Sequence, residues 1–153
     1  MKKIALFPGS FDPFTKGHFS IVKKALPLFD KIVIGIGENS NKTYLFSLEQ
    51  RINFIKFSFK NNSQIEVGSY NNLTIDFCKE IGASYILRGL RNSVDFGFER
   101  NIAQMNHAMM PSIETVFLVT DPELSAISST IVREIIRHHG NASEFVPDGM
   151  LDI

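Results

Sequence analysis

The most constraining feature of the sequence is an alternation between short apolar runs and longer stretches with helical periodicity. Five apolar, β-branched runs at positions 3–7, 31–36, 65–67, 85–87 and 115–119 predict strands. Five stretches predict helices, which begin near residues 17, 47, 73, 93 and 129 and end near residues 26, 59, 81, 110 and 139. Strands that alternate with helices form parallel sheets, and nearly continuous apolar strands are covered on both faces. We therefore expect an α/β fold: a single-domain, Rossmann-like doubly wound sheet of five parallel strands with helices on both faces.

The composition of the chain limits the number of domains, the classes of partner and the location that we expect. The 153 residues predict a single domain over positions 1–153, and 16 basic side chains balance 16 acidic ones. Zero net charge provides no basic field for nucleic acid or an anionic membrane, so we expect neither as a partner. One Cys cannot form an internal disulfide, and no apolar run is long enough for a signal peptide or a bilayer span. The expected location is the cytoplasm.

The loop after the first predicted strand runs from Gly9 to His18 and enters a helix. Gly9 and Gly17 have no Cβ, so the backbone can turn tightly and approach a bound group, and the helix start supplies free N–H groups. His18 adds a side-chain N–H in the first helical turn. These features predict a phosphate-binding loop. The alternative is a solvated loop in which Asp12 forms an Asx-turn before Pro13.

Two further motifs follow the fourth and fifth predicted strands. Residues 88–91, Arg-Gly-Leu-Arg, place two guanidiniums around a glycine and suit phosphate, although they could also be ordinary surface arginines. Residues 127–130, Ile-Ser-Ser-Thr, open the last helix with hydroxyls, for which ordinary N-capping is the alternative. The carboxyl ends of parallel strands meet at one edge of the sheet. Three anion-suited motifs at that edge predict a polyphosphate ligand.

Together with Arg133-Glu134, these motifs closely resemble those of the bacterial phosphopantetheine adenylyltransferases, a family in the nucleotidyltransferase superfamily. The similarity covers essentially the whole chain in length, motif order and spacing. The first and last motifs are shared with the superfamily, whereas residues 88–91 and 98–106 resemble this family specifically. The resemblance implies an adenylyltransferase of coenzyme A biosynthesis, which transfers AMP from ATP to 4′-phosphopantetheine and gives dephospho-coenzyme A and pyrophosphate.

The resemblance also implies roles for individual residues. His18 would hydrogen-bond the α-phosphate, Lys42 would bridge the reacting phosphates, and Arg91 completes the catalytic set. The implied ATP-binding residues are Ser10, Phe11, His18, Gly89, Leu90, Arg91, Glu99, Leu124, Ser125, Ala126, Ile127, Ser128, Ser129 and Thr130. The implied phosphopantetheine-binding residues are Ser10, Lys42, Thr74 and Arg88. No residue is assigned as a metal ligand, because Mg²⁺ would join through the ATP phosphates. The family further implies a homohexamer, for which the apolar faces of the fourth helix offer contacts, and feedback inhibition by coenzyme A.

Several positions depart from the family pattern, and other functions stay open. Phe7 stands where Tyr is common, Thr74 where an apolar residue is frequent, and Leu124 where an aromatic residue occurs, which affects contacts rather than the reaction. Adenylyl transfer to nicotinate mononucleotide and cytidylyl transfer are alternatives, although those families usually have His at the position of Thr15 and lack the 88–91 motif. A nucleotide-binding regulatory module without turnover is a further alternative. Binding alone, however, would not need His18, Lys42, Arg88 and Arg91 together.

Overall fold

The computed structural model describes residues 1–153. Its five strands are β1 (Ile4–Gly9), β2 (Lys31–Gly37), β3 (Ile65–Tyr70), β4 (Tyr85–Leu90) and β5 (Glu114–Val119). Its five α-helices are α1 (Lys16–Ala25), α2 (Leu48–Ser58), α3 (Thr74–Ile81), α4 (Ser93–Met109) and α5 (Ser129–Arg137), and three 3₁₀ helices cover Pro122–Leu124, Ser143–Phe145 and Met150–Asp152. None of the helices has both the length and the apolar character needed to cross a membrane.

The five strands form one parallel sheet in the order β3-β2-β1-β4-β5. The chain builds outward from β1 to β3, then crosses back and builds outward again through β4 and β5. The strand order therefore reverses between β1 and β4, which is where open α/β sheets bind their ligands. The predicted doubly wound parallel sheet is confirmed.

Side chains that alternate along the strands fill two separate cores. Phe7, Ile34 and Leu87 belong to a larger core together with residues of α1, α2 and α5. Leu6 and Ile86, one position away on the same strands, belong to a smaller core together with residues of α3. Because successive strand side chains point to opposite faces, helices cover both faces of the sheet, as the apolar strands predict.

The two central strands separate toward their carboxyl ends. β1 pairs with β2 from Ile4 to Gly9, but it pairs with β4 only through Ala5 and Leu6. Pro8 has no N–H to continue the ladder, and its carbonyl instead accepts a hydrogen bond from Arg88 Nη1 at 2.6 Å. A crevice therefore opens between β1 and β4 beyond Leu6.

Some predicted boundaries are wrong, for identifiable reasons. The 88–91 motif does not follow the fourth strand, because β4 stays paired with β5 through Leu90. Similarly, β1 extends through Pro8 to Gly9. The last helix ends at Arg137, two residues early, because His139 adopts a left-handed backbone with a φ of 62°. The second helix begins one residue after its predicted start, with a capping box between Ser47 and Gln50.

Candidate active site at the switch point

A cleft of about 330 Å³ opens at the carboxyl ends of β1 and β4. Most of the predicted site residues line it: Ser10, Phe11, His18, Lys42, Arg88, Gly89, Arg91, Glu99, Leu124, Ile127, Ser128, Ser129 and Thr130. Four predicted residues lie outside its lining, namely Leu90, Ser125, Ala126 and Thr74. The structure thus brings the three motifs to one place.

His18 is held in one tautomer by the start of α1. Thr15 is the N-cap residue, and its backbone N–H donates to His18 Nδ1 at 3.0 Å. Since Nδ1 accepts this hydrogen bond, the proton of the neutral ring is on Nε2. Burial lowers the pKa of His18 to about 3, with further lowering by the charges of Arg88 and Arg91. His18 is therefore a neutral donor through Nε2–H.

Aromatic side chains surround the His18 ring. Its centroid lies 4.9 Å from that of Phe11 and 5.3 Å from that of Phe14, both of which are buried. Phe11 has a φ of 48°, and its ring lies 2.8 Å from where a Cβ on Gly9 would stand. A side chain at position 9 would collide with that ring, so the sharp turn after β1 requires glycine there. This packing fixes the imidazole.

The Arg88 guanidinium is held by a buried carboxylate. Its Nε donates to Glu99 Oε2 at 2.9 Å and its Nη2 to Glu99 Oε1 at 2.6 Å, which is a bidentate pair. Glu99 is 9% exposed and is the buried residue of α4. With Nη1 on the carbonyl of Pro8, three of the five guanidinium N–H groups are used. Glu99, predicted as an ATP contact, is thus the counter-charge that orients Arg88.

Arg91 is oriented by the first turn of α4. Its backbone N–H and its Nε both donate to Asp95 Oδ2, at 2.9 and 3.1 Å. Burial of the Asp95 carboxyl raises its pKa, but the hydrogen bonds and the charge of Arg91 outweigh this and hold the pKa below its usual range. Asp95 stays ionised, so Arg91 presents its remaining donors from a fixed position.

The start of α5 is joined to the loop after β1. Ser129 Oγ donates to the carbonyl of Pro13 at 2.8 Å, and Arg133 Nη1 donates to the carbonyl of Asp12 at 2.8 Å. Ser128 is the N-cap and accepts from the N–H of Ile131, so the N-capping alternative holds for this hydroxyl. The first turns of α1 and α5 both line the cleft, and each brings backbone N–H groups with partial positive charge.

Lys42 approaches the cleft from the segment between β2 and α2. The residue is exposed, and its Nζ donates to Ser10 Oγ at 3.1 Å. The loop after β1 also contains Asp12, which does not form the alternative Asx-turn. Instead, its carboxylate accepts the N–H groups of Leu45 and Phe46 from the segment that carries Lys42.

Thr74 lies apart from these groups, at the start of α3. Its Oγ1 lies 3.0 Å from the hydroxyl of Tyr70, whose ring stacks on Phe77 with centroids 4.6 Å apart. Burial raises the pKa of Tyr70, although the Thr74 hydroxyl and the charge of Arg88 oppose the rise. In this structure the Thr74 hydroxyl contacts Tyr70, and Thr74 does not line the cleft.

Sequence reasoning missed four residues that shape the site: Asp12 as an anchor, Arg51, Asp95 and Arg133 as a bond to the loop after β1. The i, i+4 spacing of Arg91 and Asp95 was a visible signal. Asp12 gave none, because its partners Leu45 and Phe46 lie 33 and 34 positions away, and the bond from Arg51 to Ser10 spans 41 positions.

A parallel sheet with an anion-suited cleft at its switch point, entered by two helix N-termini, defines a nucleotide-binding α/β protein. The family model described as "Cytidylyltransferase-like" matches residues 6–135. A protein of Christiangramia forsetii named phosphopantetheine adenylyltransferase is 51% identical over 148 residues, which cover 97% of each chain. A protein of the same name from Flavobacterium psychrophilum is 53% identical over 146 residues, which cover 95% of this chain and 96% of the relative.

The chain belongs to the phosphopantetheine adenylyltransferase family and is an adenylyltransferase. The fold is also similar to a solved structure, a bifunctional NMN adenylyltransferase/ADP ribose pyrophosphatase from Francisella tularensis. The TM-score is 0.75 at 17% identity, and the match covers 97% of this chain but only 46% of that one. At this identity the likeness concerns the fold alone.

Proposed function

We propose that the chain transfers the adenylyl group of ATP to 4′-phosphopantetheine and forms dephospho-coenzyme A and pyrophosphate. The observation that carries the proposal is the convergence in one cleft of the neutral His18 donor, Lys42, Arg88 and Arg91. The relatives that share about half of its residues have the matching name.

In the proposed reaction, a phosphate oxygen of 4′-phosphopantetheine attacks the α-phosphorus of ATP. The new P–O bond forms as the bond from the α-phosphorus to the bridging oxygen breaks, and pyrophosphate leaves with the electron pair. A phosphomonoester with a second pKa of about 6 is mostly a dianion at neutral pH, so no general base is needed. The site has to position the two phosphates in line and stabilise the charge that develops between them.

His18 suits the second task because its proton is fixed on Nε2. With a pKa of about 3 the imidazole stays neutral near neutral pH, so its Nε2–H can donate to the α-phosphate in the same way across that range. Lys42 Nζ, at the Ser10 hydroxyl, would bridge the reacting phosphates. Arg91 and the N–H groups at the starts of α1 and α5 would bind the triphosphate.

Arg88 would bind the phosphate of 4′-phosphopantetheine through the guanidinium N–H groups that Glu99 and Pro8 leave free. Ser10 would contact both substrates, and the Tyr70–Thr74 pair would face the pantetheine arm. Gly89, Leu90 and residues 124–130 would contact ATP, with Phe11 beside His18.

Mg²⁺ is proposed to enter with ATP. The carboxylates of the cleft already have partners: Asp12 holds backbone N–H groups, Asp95 holds Arg91, and Glu99 holds Arg88. The chain contains no group of three or more His, Cys, Asp or Glu side chains that could hold a metal ion. Triphosphate oxygens and water therefore suit Mg²⁺ better as ligands, and the bound ion would neutralise part of the triphosphate charge.

Residues 1–153 are proposed to act as one nucleotidyltransferase domain in a cytoplasmic homohexamer with coenzyme A as feedback ligand. Apolar side chains exposed on α4 support the assembly, since Val94, Phe98 and Met105 are 80%, 67% and 63% exposed. An apolar face of this extent is typical of a subunit contact. Sedimentation of a monomer at micromolar concentration would contradict the hexamer.

The experiment is to incubate the purified protein with ATP and Mg²⁺ and to follow pyrophosphate release with each of two acceptors, and then to repeat the assay with CTP in place of ATP. We expect release with 4′-phosphopantetheine and none above background with nicotinate mononucleotide. Replacement of ATP by CTP is expected to abolish release. Release that requires nicotinate mononucleotide or CTP would overturn the substrate assignment, and nucleotide binding without release from any pair would favour a regulatory module.

A further inference from the structure

The segment that carries Lys42 has no regular secondary structure of its own. Residues 38–47 connect β2 to α2, and Lys42 is exposed, yet its Nζ lies 3.1 Å from Ser10 Oγ. A lysine side chain has many rotamers, so its ammonium group reaches a fixed point only if the backbone beneath it is fixed. Other groups must therefore hold this segment.

Asp12 makes the first attachment, from the loop after β1. The residue is 1% exposed, and its two carboxylate oxygens accept separate backbone N–H groups, from Leu45 at 2.8 Å and from Phe46 at 2.9 Å. Hydrogen bonds to an ionised, buried acceptor are stronger than those between neutral groups. The phosphate-binding loop and the Lys42 segment are thereby joined.

Arg51 makes the second attachment, from the first turns of α2. It is 3% exposed, its Nη1 donates to the carbonyl of Ser10 at 2.9 Å, and its Nε donates to the carbonyl of Phe46 at 3.2 Å. The guanidinium also lies 4.0 Å from the centroid of the Tyr44 ring. One side chain thus holds the residue that accepts from Lys42 and two residues of the segment that carries Lys42.

No ion pair explains a buried arginine at this position. Arg51 takes part in none of the salt bridges of the chain. Burial of a charge without a counter-charge is costly, so a purely structural position would favour an uncharged residue. The planar fork is instead matched to two carbonyl groups, that of Ser10 in the loop after β1 and that of Phe46 in the segment that carries Lys42.

We propose that Asp12 and Arg51, which we call the clasp, are positioning residues that hold Lys42 against Ser10 for the transfer step. In this proposal the clasp acts through Lys42, because the side chains of Asp12 and Arg51 bond to backbone groups of the two segments that they join. This inference rests on the proposed adenylyl transfer, because Lys42 has its role in that reaction.

The test is a pair of double-mutant cycles with turnover as the readout. Asp12→Asn keeps the shape but replaces one acceptor by a donor, and Arg51→Lys keeps the charge but loses the fork. Each is measured alone and together with Lys42→Ala. Asp30→Asn and Arg137→Lys are matched controls, because Asp30 bonds the backbone of Lys3 and Arg137 lies at the end of α5.

We expect each clasp variant to lower kcat by about 10- to 10²-fold, the scale of a small misplacement of a reacting group. The KM for ATP should change by less than about 3-fold. In the Lys42→Ala background the same substitutions should cost less than about 3-fold, because residues that act through one group are not additive. The controls should match the wild type. Full, multiplicative losses in the Lys42→Ala background would overturn the proposal.

Amide hydrogen exchange provides a readout independent of activity. We expect both clasp variants to accelerate exchange at Leu45 and Phe46 and to leave α5 unchanged. Unchanged exchange at these amides would overturn the clasp. Absence of pyrophosphate release by the wild type would instead overturn the proposed function, with exchange still deciding whether the clasp holds the segment. If Asp12→Asn does not fold, the Arg51→Lys cycle and its exchange decide the proposal.

Discussion

The role of His18 leads to a prediction that separates its two nitrogen atoms. Nδ1 accepts the N–H of Thr15 and completes the N-terminal cap of α1, which leaves Nε2–H as the free donor of a residue that lines the cleft. His18→Asn retains a polar atom near Nδ1 that can accept from Thr15, but it removes the donor at Nε2. His18→Ala removes both. The two variants should therefore share the loss of turnover and differ in stability.

The magnitudes follow from the two contacts. Loss of one preorganised donor to a developing charge costs about 2.7–4 kcal/mol, which is about 10²- to 10³-fold in kcat, and both variants should show it. Loss of a helix-cap hydrogen bond costs about 1 kcal/mol of unfolding free energy. His18→Ala should show this second loss, and His18→Asn should stay closer to the wild type.

The assay is the initial rate of pyrophosphate formation at saturating ATP and 4′-phosphopantetheine, with urea unfolding of each variant. Phe19→Leu, next to His18 but outside the lining of the cleft, is the control and should keep its turnover. A His18→Asn protein with a kcat within about 3-fold of the wild type would refute the use of Nε2–H. Equal stability of the Ala and Asn variants would refute the capping role.

Three further predictions follow from the site and the surface. Because the pKa of His18 is lowered to about 3, the stability that comes with its neutral ring is complete above pH 6.5 and is lost as the pH falls toward 3. The melting temperature of the wild type should therefore decrease more steeply in acid than that of His18→Asn. Parallel curves of melting temperature against pH would contradict this. Glu99→Gln removes the counter-charge of Arg88 and should lower kcat/KM for 4′-phosphopantetheine by about 10-fold or more, with a smaller effect on the KM for ATP. Steady-state kinetics with each substrate varied in turn tests this. Equal effects on the two substrates would contradict it. Phe98→Glu puts a charge on the exposed apolar face of α4 and should lower the sedimentation coefficient, whereas an unchanged coefficient would remove this face from the subunit contact.

The sequence was sufficient for the sheet and for the assembly of the motifs. Apolar runs predicted the number of strands, and helical periodicity predicted where the five helices begin and end to within two residues. The three motifs meet because parallel strands end at the same edge. Local signals therefore predicted where the site lies and most of the residues that line it.

Contacts between distant residues could not be predicted in the same way. The length of β4 depends on its pairing with β5 rather than on its own residues, so the sequence placed Arg88 after the strand instead of within it. The pairing of Arg88 with Glu99 connects a strand with the helix that follows it. The partners of Asp12 and Arg51 depend on how the segment between β2 and α2 folds back onto the loop after β1. That segment has no helical or strand periodicity from which its path could be predicted.

The most direct test of the account follows the oxygen atoms of the acceptor. 4′-Phosphopantetheine with ¹⁸O in its phosphate group is incubated with ATP and Mg²⁺, and the products are analysed by mass spectrometry. Attack by this phosphate on the α-phosphorus predicts that all of the label stays in dephospho-coenzyme A and none enters pyrophosphate. Label in pyrophosphate, or AMP and pyrophosphate without dephospho-coenzyme A, would contradict adenylyl transfer in this cleft.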